Sequence, residues 1–111
     1  MQIIATKTTQ NPAIIKFELD ENIVRAENFE YKNIDETQNS PLAKQLFFLP
    51  FVKTVYISGN FIAIEKFSIV EWEDVQNDVA EQIEDFIKNG GEILKIEEKL
   101  DYKREKAIFY Y

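Results

Sequence analysis

The chain has 111 residues, a formal net charge of −7, and neither cysteine nor histidine. This length suits one domain, and a hydrophobic content of 45% argues against disorder. The missing residue types exclude disulfides, thiolate nucleophiles, Cys/His zinc sites, iron–sulfur clusters ligated by this chain's cysteines, and histidine-based triads. Fifteen acidic and only eight basic residues lie in residues 1–91, which disfavours binding to nucleic acid or to an anionic membrane.

The sequence contains no sign of a membrane segment or a secretory signal. No apolar run approaches the roughly 20 residues that a transmembrane helix needs. The N-terminus lacks a basic region followed by an apolar block, which is the pattern of a signal peptide. We therefore expect a cytoplasmic protein that does not bind membranes.

The first third of the chain predicts three short strands. Residues 2–8 form a weakly patterned strand, and residues 9–12 contain the Asn and Pro of a turn. Residues 13–19 alternate between apolar and polar side chains, which indicates a half-buried strand. Phe29 and Tyr31 suggest a third strand, and the polar residues 33–39 suggest a loop.

Residues 39–64 carry the densest run of start, stop and turn signals. Ser40 is a good N-cap and Pro41 suits the first position of a helix. Apolar residues then recur at helical spacing, at Leu42, Ala43, Leu46, Phe47 and Leu49. Pro50 ends this helix because the residue before a proline is pushed out of the helical region.

A β-hairpin is predicted directly after this helix, with Gly59 and Asn60 as a type II′ turn. In the predicted register, Ser58 pairs with Phe61, Ile57 with Ile62, Tyr56 with Ala63, and Val55 with Ile64. The four large aliphatic side chains then share one face, as a sheet covered on one side requires. Tyr56 and Phe61 lie on the other face.

A second, longer helix is predicted to begin at Trp72 and to run to Gly90, with Lys88 in its last turn. Its apolar residues recur at steps of three and four, acidic residues occupy its first turn, and Gly90 and Gly91 supply a stop. We expect Trp72 to pack at the edge of the core rather than to bind a ligand. We divide the chain into a domain of residues 1–91 and a charged linker or tail of residues 92–111. The apolar residues 107–111 are predicted to add an edge strand or to begin a following domain.

The resulting element order is β-β-β-α-β-β-α. Both helices are expected on one face of a mixed sheet of about five strands, which is a two-layer α+β sandwich.

Two features could carry function. Asp74 and Asp78, like Glu81 and Asp85, are one helical turn apart, and hard cations accept carboxylates. A metal site needs ligands from a second element, so we favour a solvated surface for this acidic face. Tyr56 and Phe61 are the stronger candidate, because exposed aromatic side chains on a polar face suggest a partner-docking patch. Coverage by another strand or by the tail remains the alternative for that pair.

Four segments together carry a family resemblance: TQNPAIIKF at residues 9–17, SPLAKQLF at 40–47, VKTVYISGNFIAI at 52–64, and the helix that begins at Trp72. Over residues 2–91 the chain resembles the N-terminal domain of Nfu/NifU-type iron–sulfur scaffold proteins. The family's two-layer α/β sandwich with a mixed sheet agrees with the order above. The family's recurrent positions match twelve residues here: Asn11, Pro12, Lys16, Phe17, Ser40, Pro41, Leu42, Ala43, Leu46, Phe47, Phe61 and Ile64.

The resemblance implies a role in the assembly of iron–sulfur clusters or in their delivery to apo-proteins. In this family the cluster is held by a Cys-x-x-Cys motif in a separate C-terminal domain, and that motif is absent here. What carries over is a non-enzymatic recognition role toward an iron–sulfur scaffold domain or apo client proteins, with no cofactor in this chain. The sequence is thus expected to belong to a longer protein or an assembly. The alternatives are a small carboxylate-based metal-dependent enzyme and a self-associating structural module.

Overall fold

The computed structural model describes residues 1–25 and 27–95, which form a five-stranded sheet with two α-helices and a short 3-10 helix. The strands are β1 (Ile3–Thr8), β2 (Ile14–Leu19), β3 (Asn28–Tyr31), β4 (Val52–Ser58) and β5 (Phe61–Lys66). The helices are the 3-10 helix (Ile34–Glu36), α1 (Pro41–Leu46) and α2 (Trp72–Lys88). The predicted α+β class and the order of strands and α-helices are confirmed.

The strands lie in the order β1-β2-β5-β4-β3, and each neighbouring pair in this sheet is antiparallel. The prediction of a mixed sheet was therefore wrong. Tight turns join β1 to β2 and β4 to β5, and such turns produce antiparallel pairs. The six-residue helix α1 reverses the chain between β3 and β4 instead of returning it for a parallel crossover.

The predicted register of the central hairpin is confirmed. Ser58 pairs with Phe61, Ile57 with Ile62, Tyr56 with Ala63, and Val55 with Ile64. Gly59 has the positive φ, +54°, that the turn requires. The ladder shifts by one residue between Val52 and Thr54, which marks a β-bulge at the start of β4.

The core lies between the helices and one face of the sheet. Strands β4 and β5 each contribute alternate residues to the core, and both α-helices contribute their apolar faces. The fully buried large side chains are Phe17, Leu19, Leu42, Leu46, Val55, Ile57, Ile62, Ile64, Val79 and Ile83. Both helices therefore cover the same face of the sheet, as predicted.

Trp72 joins this core at the start of α2. Its ring meets the rings of Phe17 and Phe51 edge-on, with centroid distances of 6.3 and 6.4 Å. Its indole Nε1–H donates a hydrogen bond of 2.8 Å to the carbonyl of Ala13. The predicted packing role of Trp72 is confirmed.

The predicted starts of both α-helices and the glycine stop after α2 are confirmed, but α1 ends at Leu46, before the predicted stop at Pro50. The Ser40 hydroxyl accepts a hydrogen bond from the Ala43 N–H at 3.0 Å, so Ser40 is the N-cap of α1, and Pro41 is its first residue. After α2, Gly90 adopts a φ of +88°, which ends the helix in the left-handed region.

The described chain stays packed beyond α2 as far as Lys95. Ile93 is only 8% exposed and belongs to the core. Its carbonyl accepts a hydrogen bond of 2.7 Å from the Ser40 hydroxyl, and the Lys95 N–H donates one of 2.7 Å to the Asn39 carbonyl. The division of the chain at residue 91 stays a prediction, and the predicted strand at residues 107–111 lies outside the described residues. Within the described ranges, no helix is long and apolar enough to cross a membrane.

Candidate docking face of the sheet

The face of the sheet that points away from the helices holds the predicted aromatic pair. We call it the open face and define it by Lys16, Tyr56, Phe61, Ala63 and Glu65. Strand alternation places these side chains opposite the buried residues of β2, β4 and β5. All five are partly exposed, and α1 and α2 pack on the other side of the sheet. The predicted position of Tyr56 and Phe61 on one face is confirmed.

Phe61 contacts an aromatic ring on one side and a cation on the other. The rings of Tyr56 and Phe61 have centroids 6.1 Å apart and are tilted by 36°. The Lys16 Nζ lies 4.3 Å from the centroid of the Phe61 ring, within the range of a cation–π interaction. Three strands thus hold this aromatic group in place, because Lys16 belongs to β2, Tyr56 to β4 and Phe61 to β5.

A shallow depression of about 240 Å³ lies beside this aromatic group. It is lined by Ile14, Glu30, Thr54, Tyr56, Ala63 and Glu65. The small Ala63 side chain leaves room between its larger neighbours, and Ile14 adds apolar surface. The Thr54 hydroxyl donates a hydrogen bond of 3.1 Å to Glu65 on the same face. Such a depression can accept one small apolar side chain of a partner.

The charged side chains near the open face are of both signs and mostly paired. Lys7 lies 3.3 Å from Glu18, and Lys53 lies 3.7 Å from Glu65. In both pairs the lysine is exposed and the glutamate is partly buried. Ion pairs near the surface contribute little to stability, but they influence which partner surface fits. The face is therefore suited to recognition by shape and charge.

The comparisons with known proteins identify the family. The family model described as "Scaffold protein Nfu/NifU N terminal" matches residues 4–90. The chain belongs to the Nfu/NifU N-terminal family. The resemblance stated from the four sequence segments is therefore confirmed.

Two curated relatives illustrate the relationship to longer proteins. The NFU1 iron-sulfur cluster scaffold homolog, mitochondrial, of Drosophila sechellia is 33% identical over 92 residues, which cover 82% of this chain and 32% of the relative. The NifU-like protein 5, mitochondrial, of Arabidopsis thaliana is 26% identical, and the match covers 78% of this chain and 32% of the relative. The chain thus spans about a third of the length of these relatives. Both are named mitochondrial, so they give no support to the predicted cytoplasmic location, which stays a prediction.

Solved structures agree with the fold. A NifU-like protein from Saccharomyces cerevisiae superimposes with a TM-score of 0.70 at 25% identity, covering 86% of this chain and 87% of that one. A crystal structure of a protein from Staphylococcus aureus gives a TM-score of 0.64 at 24% identity, covering 74% and 98%. The second match shows the fold alone.

The Nfu/NifU motif positions are spread over turn, core and surface rather than gathered at one site. Phe17, Ile64 and the α1 residues Leu42, Ala43 and Leu46 are buried, Phe47 packs against them, and Ser40 and Pro41 begin α1. Asn11 and Pro12 form the β1–β2 turn, where the Asn11 side chain accepts a hydrogen bond of 2.9 Å from the Ala13 N–H. Lys16 and Phe61 alone among these twelve residues lie on the open face. Their functional roles stay predictions.

The acidic face of α2 does not assemble a metal site. Asp78, Glu81 and Asp85 line a wide groove of about 550 Å³ together with Gln45 of α1. Across residues 1–25 and 27–95, no three acidic side chains come close enough together to hold a metal ion. The alternative of a carboxylate-based metal enzyme therefore lacks, in this part of the chain, the convergent ligands that it needs.

The contribution of Lys16 to the aromatic group was not predicted. Its contact with Phe61 depends on the pairing of β2 with β5, in which Glu18 lies opposite Phe61 and Lys16 opposite Ala63. No turn joins these two strands, so no local signal in the sequence sets their register. A search for aliphatic alternation shared by residues 14–19 and 61–66 would have been the only indication.

Proposed function

We propose that this chain is a non-catalytic recognition domain in iron–sulfur cluster assembly or delivery. It docks a cluster-carrying scaffold domain or an apo client protein through the open face. The observation that carries the proposal is the Tyr56–Phe61 pair, held by Lys16 on a sheet face that points away from both helices. The chain belongs to a family whose curated relatives are named iron–sulfur cluster scaffolds, and this membership is the reason for proposing a role in iron–sulfur cluster assembly.

The geometry of the pair favours binding to a protein. Aromatic rings supply a large contact area, and few rotamers need to be restricted when they are already packed together. The adjoining depression offers a pocket for an anchoring side chain, and anchors in pockets dominate the affinity of most protein interfaces. The paired charges around it then select the register of the partner.

The cluster itself is expected on a separate Cys-x-x-Cys domain or on the partner. Iron–sulfur clusters are held chiefly by cysteine thiolates, and this chain has no cysteine. The recognition domain would thus bring the cluster-bearing protein and its client together without holding iron.

The test uses the full chain and a purified NFU1-type scaffold that carries its cluster. We expect this chain to remain colourless after incubation with iron and sulfide, and to bind the scaffold or a purified apo client protein in calorimetry. Replacing both aromatic residues (Tyr56→Ser with Phe61→Ser) should weaken that binding by roughly tenfold or more, because both are anchors of the interface. Ile34→Ser, an exposed apolar residue on the 3-10 helix, is the matched control and should leave the affinity unchanged.

Two results would count against the proposal. One is stoichiometric cluster absorbance from this chain, and the other is equal affinity of the double variant and the native chain. Self-association through the same face is the remaining alternative. It would appear as a concentration-dependent sedimentation coefficient that the double variant abolishes.

A further inference from the structure

The strand β1 lies at one edge of the sheet and pairs only with β2 in the part of the chain that the structure describes. The ladder between these strands shifts between Ile3 and Ala5, so the regular part of the edge consists of residues 5–8, which we call the β1 edge. Its residues Thr6, Lys7 and Thr8 are exposed. An exposed edge strand can pair with a further strand, because its outer N–H and carbonyl groups are free.

The hydrogen bonds of the sheet show which backbone groups of the β1 edge point outward. Antiparallel strands exchange hydrogen bonds at alternate residues. The Leu19 N–H donates to the Asn60 carbonyl at 2.7 Å, so the odd-numbered residues of β2 bond toward β5 and the even-numbered residues bond toward β1. The even-numbered residues lie opposite the odd-numbered residues of the β1 edge. The N–H and carbonyl groups of Thr6 and Thr8 therefore point away from the sheet, and no backbone bond outside the ladders of the described residues involves them.

The opposite edge of the sheet is less open to a further strand. Strand β3 has only four residues, Asn28–Tyr31. The N–H of the following residue, Lys32, donates to the Glu36 carboxylate at 2.8 Å, which covers that end of the edge. On the β1 side, the comparable bond from the Ile3 N–H to Glu84, at 2.9 Å, lies before the bulge. The β1 edge itself stays uncovered by any described side chain.

Lys7 disfavours pairing of the β1 edge with a second copy of this chain. Two antiparallel registers would use the outward groups of both threonines. In the first, Thr6 lies opposite Thr8 of the other copy, and the two Lys7 side chains face each other directly, which is unfavourable. In the second, Thr6 lies opposite its own copy and Thr8 lies opposite Ile4, where the bulge interrupts the ladder. A lysine on an edge strand commonly protects against self-association in this way.

The charges around Lys7 define the side chain that an incoming strand should place opposite it. Lys16 lies directly across the ladder from Lys7. The Glu18 carboxylate lies 3.3 Å from the Lys7 Nζ. These are the charged residues that β1 and β2 contribute to this face of the sheet, so two lysines surround one glutamate. A carboxylate on the incoming strand would balance this local positive charge.

We propose that the β1 edge binds an extended segment of a partner protein as a sixth strand, with an aspartate or glutamate opposite Lys7. When a strand is added to a sheet edge, main-chain hydrogen bonds give affinity and alternate side chains give specificity. Here the outward groups of Thr6 and Thr8 would supply the main-chain bonds, and Lys7 would select the acidic side chain. Tyr56 and Phe61 take no part in this binding, which is separate from docking at the open face.

The test titrates the full, isotope-labelled chain with a short designed peptide of alternating valine and threonine that has a central glutamate and blocked ends. A matched peptide carries lysine in place of the glutamate. We expect saturable shifts and slower hydrogen exchange of the Thr6 and Thr8 amides with the glutamate peptide. The lysine peptide should bind roughly fivefold more weakly, because a like charge would lie opposite Lys7.

Variants separate the backbone contribution from the charge contribution. Thr6→Pro removes an outward donor but no bond to β2, and edge strands tolerate proline at such a position. It should weaken binding of the glutamate peptide roughly fivefold or more, because a main-chain bond is lost. Asn28→Pro, at the first residue of the other edge strand, is the matched control and should leave the affinity unchanged. Lys7→Glu should reverse the preference, so that the lysine peptide binds more tightly.

Four outcomes of the titrations would overturn this proposal. They are equal binding of the two peptides, unchanged affinity of Thr6→Pro, amide shifts centred on the open face or on β3, and no saturable shift with either peptide at millimolar concentration. Self-association that Thr6→Pro abolishes would also overturn it, because the edge would then belong to a second copy. The test with the cluster-bearing scaffold uses different variants and a different partner, so either proposal can fail while the other stands.

Discussion

At the scale of single residues, Ser40 makes the most consequential polar contacts in the described core. Its fully buried hydroxyl caps α1 at the Ala43 N–H and also donates to the Ile93 carbonyl. The capping role was predictable, because the signal lies within a few residues of Ser40. The second bond joins residues 53 positions apart and exists only because the fold brings α1 next to the segment that follows α2.

We expect Ser40→Ala to lower the free energy of unfolding by about 2–3 kcal/mol. Loss of the cap accounts for about 1 kcal/mol, and the buried Ile93 carbonyl left without a donor accounts for most of the remainder. Urea denaturation followed by Trp72 fluorescence measures the change. Ser58→Ala is the matched control: this half-buried hydroxyl bonds to Asn28 on the open face, where water can replace it, and its loss should cost less than about 1 kcal/mol. Equal losses in the two variants would contradict this interpretation of Ser40.

Ionisation of the Tyr31 phenol is expected to make the free energy of unfolding depend on pH. Burial raises the pKa of the Tyr31 phenol above its ordinary value, because the apolar surroundings disfavour the charged phenolate. Because the folded state favours the neutral phenol, its contribution is complete below the pKa of the unfolded chain, near 10, and is lost as the pH rises through the folded-state pKa.

Comparison with Tyr31→Phe isolates this contribution. The variant should be less stable at neutral pH by about 1 kcal/mol, because the Tyr31 hydroxyl no longer donates its 2.7 Å hydrogen bond to Asn39. Above pH 10, the stability of the native chain should fall more steeply than that of the variant, and urea midpoints at several pH values measure both slopes. The two proteins share every other side chain, so the contributions of the other groups cancel in the difference. Parallel slopes would show that Tyr31 ionises equally in the folded and unfolded states.

At the scale of elements, local patterns predicted the helices and the central hairpin but not the arrangement of strands. Gly59 and the alternation on both sides of it determine the hairpin register, because a two-residue turn leaves little freedom. The connection from β2 to β3, which lies at the far edge of the sheet, contains no turn motif that sets the position of β3. The antiparallel order of the whole sheet therefore could not be derived from the sequence. The same limit explains why the position of Tyr56 and Phe61 was predicted but the contact of Lys16 with Phe61 was not.

The segment after α2 is an element whose role the sequence did not reveal. We expect Ile93→Ala to lower the free energy of unfolding by about 2–3 kcal/mol, because the side chain is buried in the core and its removal leaves a cavity. Leu94→Ala, at the partly buried neighbouring position, should cost about 1 kcal/mol or less. Urea denaturation measures both. If both variants matched the native chain, the folded domain would end before residue 93, near the division predicted at residue 91.

At the scale of the whole molecule, one core connects both layers, and this predicts a single cooperative unfolding transition. Trp72, the first residue of α2, packs against Phe17 of the sheet and Phe51 of the α1–β4 connection. Its indole N–H also donates a hydrogen bond to the carbonyl of Ala13, at the end of the β1–β2 turn. Neither layer retains its buried surface without the other, so partly folded states with only one layer lose most of their stabilisation.

Trp72 fluorescence and far-UV circular dichroism should therefore report the same urea midpoint. Trp72 fluorescence reports on the contact between the helix layer and the sheet, and circular dichroism reports on the backbone of both layers. Gly59→Ala is a useful perturbation at the opposite end of the sheet, because its φ of +54° disfavours a Cβ although no atom lies within 4 Å of it. It should lower both midpoints together, by about 1 kcal/mol in unfolding free energy. A fluorescence midpoint that stayed fixed while the circular dichroism midpoint fell would show that the hairpin unfolds apart from the helix layer, and that the core is not one unit.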